Sequence, residues 1–276
     1  MADTDTDEQQ FTASAPAAER PLKYIQLDVS TSVARLTLNR PPYNVLTIDM
    51  MEEISRSIDG LHDRNDVRVI LIKASAECKA FSAGVGVEDS RPDRAFQMLE
   101  AFREVFRAMM EISKPVITVV NGAAIGGGCE LAALSDMIVA TPKARFSQPE
   151  IKLGVFPPLA AVILPHVIGH KRAIEMILTG EPLDAEEARR LGLVNRVVPE
   201  ANLDQEVEKL VAKITEQSAP VLEMAKKSLY ETIGLSIPDA IKRSSNIYLN
   251  QLMYLDDAQE GLRAMVEKRK PVWKNK

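Results

Sequence analysis

The sequence predicts an α/β protein, and three observations carry that expectation. Short runs rich in Val and Ile, among them Val33–Leu38 and Val116–Val120, have strand character. Stretches with apolar residues at helical spacing alternate with them, as in Ile48, Met51, Ile54 and Ile58. Beyond residue 200 the strands stop and only helical stretches follow.

In chain order, residues 1–20 are acidic and rich in Ala and Thr. They cannot bury enough surface to offset the entropy of ordering, so a disordered tail is expected. Tyr24–Val29 and Val33–Leu38 make a hairpin across Ser30-Thr31-Ser32. Proline cannot continue a ladder, so Arg40-Pro41-Pro42 ends the second strand. Thr47 caps a helix reaching Asp59. Val67–Lys73 is a buried strand and Phe81–Val87 a loop with two glycines. Arg94–Met110 is a helix with Phe96, Leu99, Phe102, Phe106 and Met109 inward.

Strand Val116–Val120 ends at the turn signal Asn121-Gly122. Gly126-Gly127-Gly128 then opens a short helix, and Met137–Ala140 is a further strand. Pro157-Pro158 starts a helix that Gly169 ends. His170–Leu178 is the next, closed by Gly180, and Asp184 caps a third. Leu193–Val198 is a short strand. Helices at Leu203–Ile214, Pro220–Ile233, Pro238–Tyr254 and Asp257–Arg269 complete the chain. The expected division is a tail (1–20), an α/β core (21–200) and a helical C-terminal region (201–276).

Composition narrows the function. Apolar residues at 46% of 276 can build a large core, and a net charge of −5 supplies no field to attract nucleic acid. No run of about eighteen apolar residues spans a membrane, and acids stand where a signal peptide carries basic residues, so a cytoplasmic location is expected. Cys78 and Cys129 make no disulfide framework and read as small buried apolar groups. His62, His166 and His170 lack the HExxH pattern, and no metal is expected.

The stretch Pro115–Gly154 has the most chemical character. It joins a strand, a glycine-rich turn and a helix whose first turn carries Glu130; a second carboxylate, Glu150, follows in Ser147-Gln148-Pro149-Glu150-Ile151. Free N–H groups at a helix start favour an anion, and glycines let a substrate lie against the backbone. Two carboxylates at such a place can divide acid and base work if their environments push their pKa values apart.

Four blocks carry a resemblance: Leu38-Asn39-Arg40-Pro41 with Asn44-Val45-Leu46; Lys79-Ala80-Phe81-Ser82-Ala83-Gly84; Asn121-Gly122 with Gly126-Gly127-Gly128-Cys129-Glu130-Leu131; and Phe146 with Gln148-Pro149-Glu150-Ile151 and Gly154. In this order they resemble the enoyl-CoA hydratase/isomerase (crotonase) family, across residues 22–273. The resemblance implies a spiral of ββα units, with C-terminal helices that assemble homotrimers, often paired into hexamers. It implies that the backbone N–H groups of Ala83 and Gly127 hold the thioester oxygen. Glu130 and Glu150 match the two glutamates that hold the attacking water, with Glu150 delivering a proton to the α-carbon. The substrate it implies is an acyl-CoA, so coenzyme A is part of the substrate and no further cofactor is needed. Lys79, Gly84, Val85 and Gly86 are candidates for the CoA side, with Lys268, Arg269 and Lys270 as cations for its phosphates.

Two departures stand out. The family often has Gly-Ala-Asp where this chain has Gly84-Val85-Gly86, which removes a local cap. Its Pro-Gly-x-Gly-Gly after the second glutamate is replaced by Phe156-Pro157-Pro158-Leu159-Ala160-Ala161, so these residues should reshape the acyl pocket. That block resembles the branch that hydrates cyclohexa-1,5-diene-1-carbonyl-CoA. An isomerase or decarboxylase on the same scaffold is the main alternative. A non-catalytic or RNA-binding relative is the third, disfavoured by the acidic balance and the intact glutamate pair.

Overall fold

A computed structural model describes residues 21–276; the tail expected at 1–20 lies outside the described residues. Strands β1 (Ile25–Ser30) and β2 (Val33–Leu38) pair antiparallel, with Ser30 opposite Val33. The turn is therefore two residues, Thr31 and Ser32, at φ 48° and 67°. Two left-handed residues give the twist that strand pairs need.

Helix α1 (Ile48–Asp59) follows, capped by Thr47 Oγ1, which accepts the Met50 N–H. Then come β3 (Val69–Ala74), α2 (Ala95–Glu111), β4 (Val116–Val120), β5 (Ala123–Ile125), α3 (Gly127–Ala133), β6 (Met137–Ala140) and β7 (Arg145–Ser147). A 3-10 turn, Pro149–Leu153, leads to α4 (Pro158–Ile168), α5 (His170–Thr179), β8 (Leu183–Asp184), α6 (Ala185–Leu191) and β9 (Arg196–Val197). Helices α7 (Leu203–Thr215), α8 (Ala219–Glu231), α9 (Ile237–Asn250) and α10 (Asp256–Val266) finish the chain.

Six strands form the main sheet in the order β1-β2-β3-β4-β6-β9, parallel except at the first pair. Alternation divides its residues between two faces. Ile70, Ile72, Val116 and Val120 face the larger core, where Met50, Met51, Ile54 and Ile58 of α1 and Phe102, Val105 and Met109 of α2 cover them. Val69, Leu71, Ile117 and Val119 face the other side, covered by Leu203, Val207, Leu210 and Val211 of α7. Both faces of a largely parallel sheet are thus buried, which its continuous Val/Ile runs require. A second sheet, β5-β7-β8, stands apart from the first. Among the described residues no helix is long and apolar enough to cross a membrane.

Several expectations are corrected. Phe96 is 78% exposed, because the first turn of α2 lies short of the core. The strand expected over Leu193–Val198 is paired only at Arg196–Val197. Strands β5 and β7 were not foreseen, since three residues show no alternation.

A part-buried ionic cluster ties α8 to the sheet. Lys226 Nζ lies 2.8 Å from Asp136 Oδ2 and donates to Lys114 O, while Tyr230 donates to Asp136 Oδ1 at 2.7 Å. Asp136 also accepts the Val116 N–H at 2.6 Å. Burial pushes the Lys226 pKa down against the pull of Asp136. Removing one member of such a pair strands the other, at a cost of about 3–5 kcal/mol. Asp136→Ala should therefore lower the melting temperature strongly, and thermal unfolding checks it.

Candidate active site

The glycine turn and Glu150 meet because β5 pairs with β7. Ile125 lies opposite Ser147, and the Gly126 N–H donates to Ser147 O at 2.8 Å. The chain between them folds back, so Glu150 arrives over Gly126. Gly126 has φ 52° and ψ −125°, a conformation only glycine takes readily. A Cβ there would overlap Glu150 Oε1 and stand 3.3 Å from its Cδ. Glu130 sits one turn into α3, where its N–H donates to Gly126 O. Its Oε1 accepts the Ala160 N–H from the first turn of α4 at 2.6 Å.

The structure thus brings both predicted glutamates to one turn. Glu130 is buried, and burial pushes its pKa up to about 8; the charge of Glu150 adds to this and the Ala160 N–H opposes it. Burial also raises the Glu150 pKa, against the pull of its own backbone N–H. Glu130 is the more deeply buried of the two. Glu150 Oε2 and both amide atoms of the fully buried Gln148 are without hydrogen-bond partners among the described residues. The Cys129 thiol is pushed far above its ordinary range, by burial first and then by Glu130 and Glu150, so it is no nucleophile.

The raised Glu130 pKa has a stability consequence. Below the ordinary value of 4.5 the group is protonated folded or unfolded, and nothing is lost. Between 4.5 and about 8 the unfolded chain releases its proton and the folded one keeps it, so stability falls as pH rises. Glutamine mimics the neutral form and escapes the penalty, which is about 3–5 kcal/mol when complete. Glu130→Gln should therefore raise the melting temperature at pH 8 by roughly 5 °C or more, with little effect at pH 4.5. Melting curves at both pH values check this.

The amide donors differ from expectation. The Ala83 N–H already donates to Tyr43 O at 2.9 Å. Ala83 is therefore corrected: its amide is spent on the neighbouring loop. Two residues on, Leu46 donates to Gly84 O at 2.8 Å and accepts from the Gly86 N–H at 3.1 Å. That bridge turns the Val85 N–H away from Leu46, and it donates to no group among the described residues. Gly127 opens α3 and has no carbonyl one turn back to bond. The two residues touch: a Cβ on Gly127 would come 2.9 Å from Val85 Cγ2, and one on Gly84 3.2 Å from the Gly127 N. The unspent amide pair is Val85 and Gly127.

The remaining candidates divide. Lys79 is exposed beside this loop, with its N–H on Pro42 O. Gly84 is buried and Gly86 half-buried. Arg269 is paired with Glu260 and Glu267. In the reshaped block, Pro157 is buried and Leu159 half-buried, whereas Phe156 is 65% exposed and Pro158 is exposed. Ala160, one residue further, reaches Glu130. The sequence reading passed over Ala160 as a donor, although the start of a helix supplies free N–H groups.

Comparison with known proteins agrees with this architecture. The sequence profile described as "Enoyl-CoA hydratase/isomerase" matches residues 28–276. A "Probable enoyl-CoA hydratase, mitochondrial" from Dictyostelium discoideum is 36% identical, over 97% of this chain and 99% of its own. A "Cyclohexa-1,5-dienecarbonyl-CoA hydratase" from Thauera aromatica is 32% identical, over 94% of this chain and 99% of its own. The crystal structure of an enoyl-CoA hydratase from Mycobacterium smegmatis superposes with a TM-score of 0.87 at 34% identity, covering 91% of this chain and 99% of that one. The fold, the order of the sequence blocks and these relatives together show that the chain belongs to the enoyl-CoA hydratase/isomerase family of enzymes, with its crotonase fold.

Proposed function

We propose that this protein adds water across the double bond of an α,β-unsaturated acyl-CoA thioester. The observation that carries the reading is the pairing of a buried carboxylate, Glu130, with a half-buried one, Glu150, both with raised pKa values, beside two amides with no other partner among the described residues. Val85 and Gly127 grip the thioester oxygen, where charge develops as the enolate forms. Each such donor is worth on the order of 3 kcal/mol to the transition state. In this reading one glutamate is protonated and the other charged when substrate binds. The charged member takes a proton from water as its oxygen attacks the β-carbon; the protonated member gives its proton to the α-carbon. Two carboxylates suit that traffic, and moving a double bond needs only one.

The proposed acyl group is cyclohexa-1,5-diene-1-carbonyl. Its support is the Phe156-Pro157-Pro158 block and the name of the Thauera relative. A test supplies purified protein with crotonyl-CoA and with the cyclic dienoyl-CoA and follows the ultraviolet band of the conjugated thioester. Loss of conjugation with the cyclic substrate at the higher kcat/KM supports the proposal. Migration of the double bond without any hydrated product favours an isomerase.

A homotrimer or hexamer is part of the same proposal. Ile237, Ile241, Leu249, Met265 and Val266 are exposed apolar residues on the last two helices, an area suited to another copy. Light scattering of the purified chain tests it. A cytoplasmic location is proposed as well, although the Dictyostelium relative is named mitochondrial; cell fractionation tests that.

A further inference from the structure

The loop that carries Val85 lacks the aspartate that the family often places at position 86, yet it holds a defined shape. Its support comes from three residues further on. Asp89 is buried, with its side chain only 7% exposed. Its Oδ2 accepts the N–H of Ile48, the first residue of α1, at 3.3 Å. Its Oδ1 pairs with Arg94, which precedes α2, at 3.0 Å. A Cβ built on Gly86 would stand 3.9 Å from Oδ2, so the Asp89 carboxylate fills the space beside that glycine. The Asp89 N–H in turn donates to Gly86 O at 3.0 Å.

These bonds close a ring. Leu46 holds Gly84 and Gly86 on either side of Val85, Leu46 leads directly into Ile48, and Asp89 ties Ile48 back to the loop. The ring leaves Val85 one orientation for its peptide plane. We infer that Asp89 is a positioning residue that fixes the direction of the Val85 amide, and so the grip on the thioester oxygen. The inference rests on the reading of Val85 and Gly127 as the oxygen's donors. Asp89 touches no reacting atom; its effect passes through Val85.

The test uses a para-amino cinnamoyl-CoA thioester, whose absorption moves to longer wavelength when its carbonyl is polarised. The wild-type protein should shift the band on binding. Asp89→Ala should lose most of that shift and lower kcat for the hydrated substrate by ~10²-fold, with KM within about threefold. Asp89→Asn, which keeps an acceptor for the Ile48 N–H, should restore most of both. If Asp89→Ala does not fold, Asp89→Glu, which moves the carboxylate by one carbon, is read the same way. A variant that melts lower but keeps the full band shift and kcat would overturn the inference and make Asp89 a structural group only. No band shift in the wild type would instead overturn the assignment of Val85 and Gly127 themselves.

Discussion

Glu150→Gln and Glu130→Gln should each reduce kcat by ~10²–10⁴, the usual cost of removing a catalytic acid or base. KM should change little, because glutamine fills the same volume and the oxygen-binding amides are untouched. Glutamine at position 130 can still accept the Ala160 N–H, so α4 should keep its place. The two variants should differ in stability. Glu130→Gln relieves the more buried carboxylate and gains stability at pH 8, while losing nearly all its activity. A loss of turnover accompanied by a rise in melting temperature separates a catalytic role from a structural one. Near-normal steady-state rates in both variants would remove the glutamates from the chemistry.

Gly126→Ala should be the next most damaging change. At φ 52° and ψ −125° any side chain is strained, at a cost on the order of 1–3 kcal/mol. The added methyl would also overlap Glu150 Oε1 and drive that carboxylate from its place. A displacement of about 1 Å at a reacting group can cost ~10² in rate. Gly154→Ala is the matching control. Gly154 also has a positive φ, 77°, but nothing stands within 4 Å of a Cβ there. It should lose stability while keeping kcat within a few-fold; kcat and melting temperature measured on both variants check the contrast. Equal kcat losses would mean that backbone strain, and not the position of Glu150, sets the rate.

Most of the main sheet was legible in the sequence because four of its six strands are five or six residues long, and β2, β3 and β4 among them are apolar runs that include Val or Ile. The helices were legible from their apolar spacing and from caps such as Thr47 and Asp184. The proximity of Gly126 and Glu150 was not legible from local pattern. It depends on β5 pairing with β7, two strands of three residues each, and was expected only from the family's motifs. Which amide of the Ala83–Val85 loop stays free was not legible for a related reason. Both are small apolar residues of one loop, and which amide stays free depends on bonds to residues 43–46, distant in sequence. Asp89 went unnoticed because an acid in a polar run looks solvated, whereas here α1 and α2 close over it.

The most direct test of the account is isotopic. An enoyl-CoA substrate is incubated with the protein in water labelled with both oxygen-18 and deuterium, and the product is read by mass spectrometry. The account requires one solvent oxygen on the β-carbon and one solvent hydrogen on the α-carbon of each product molecule. Deuterium entering the acyl chain without any labelled oxygen would contradict it, since the two carboxylates would then be moving protons and not adding water.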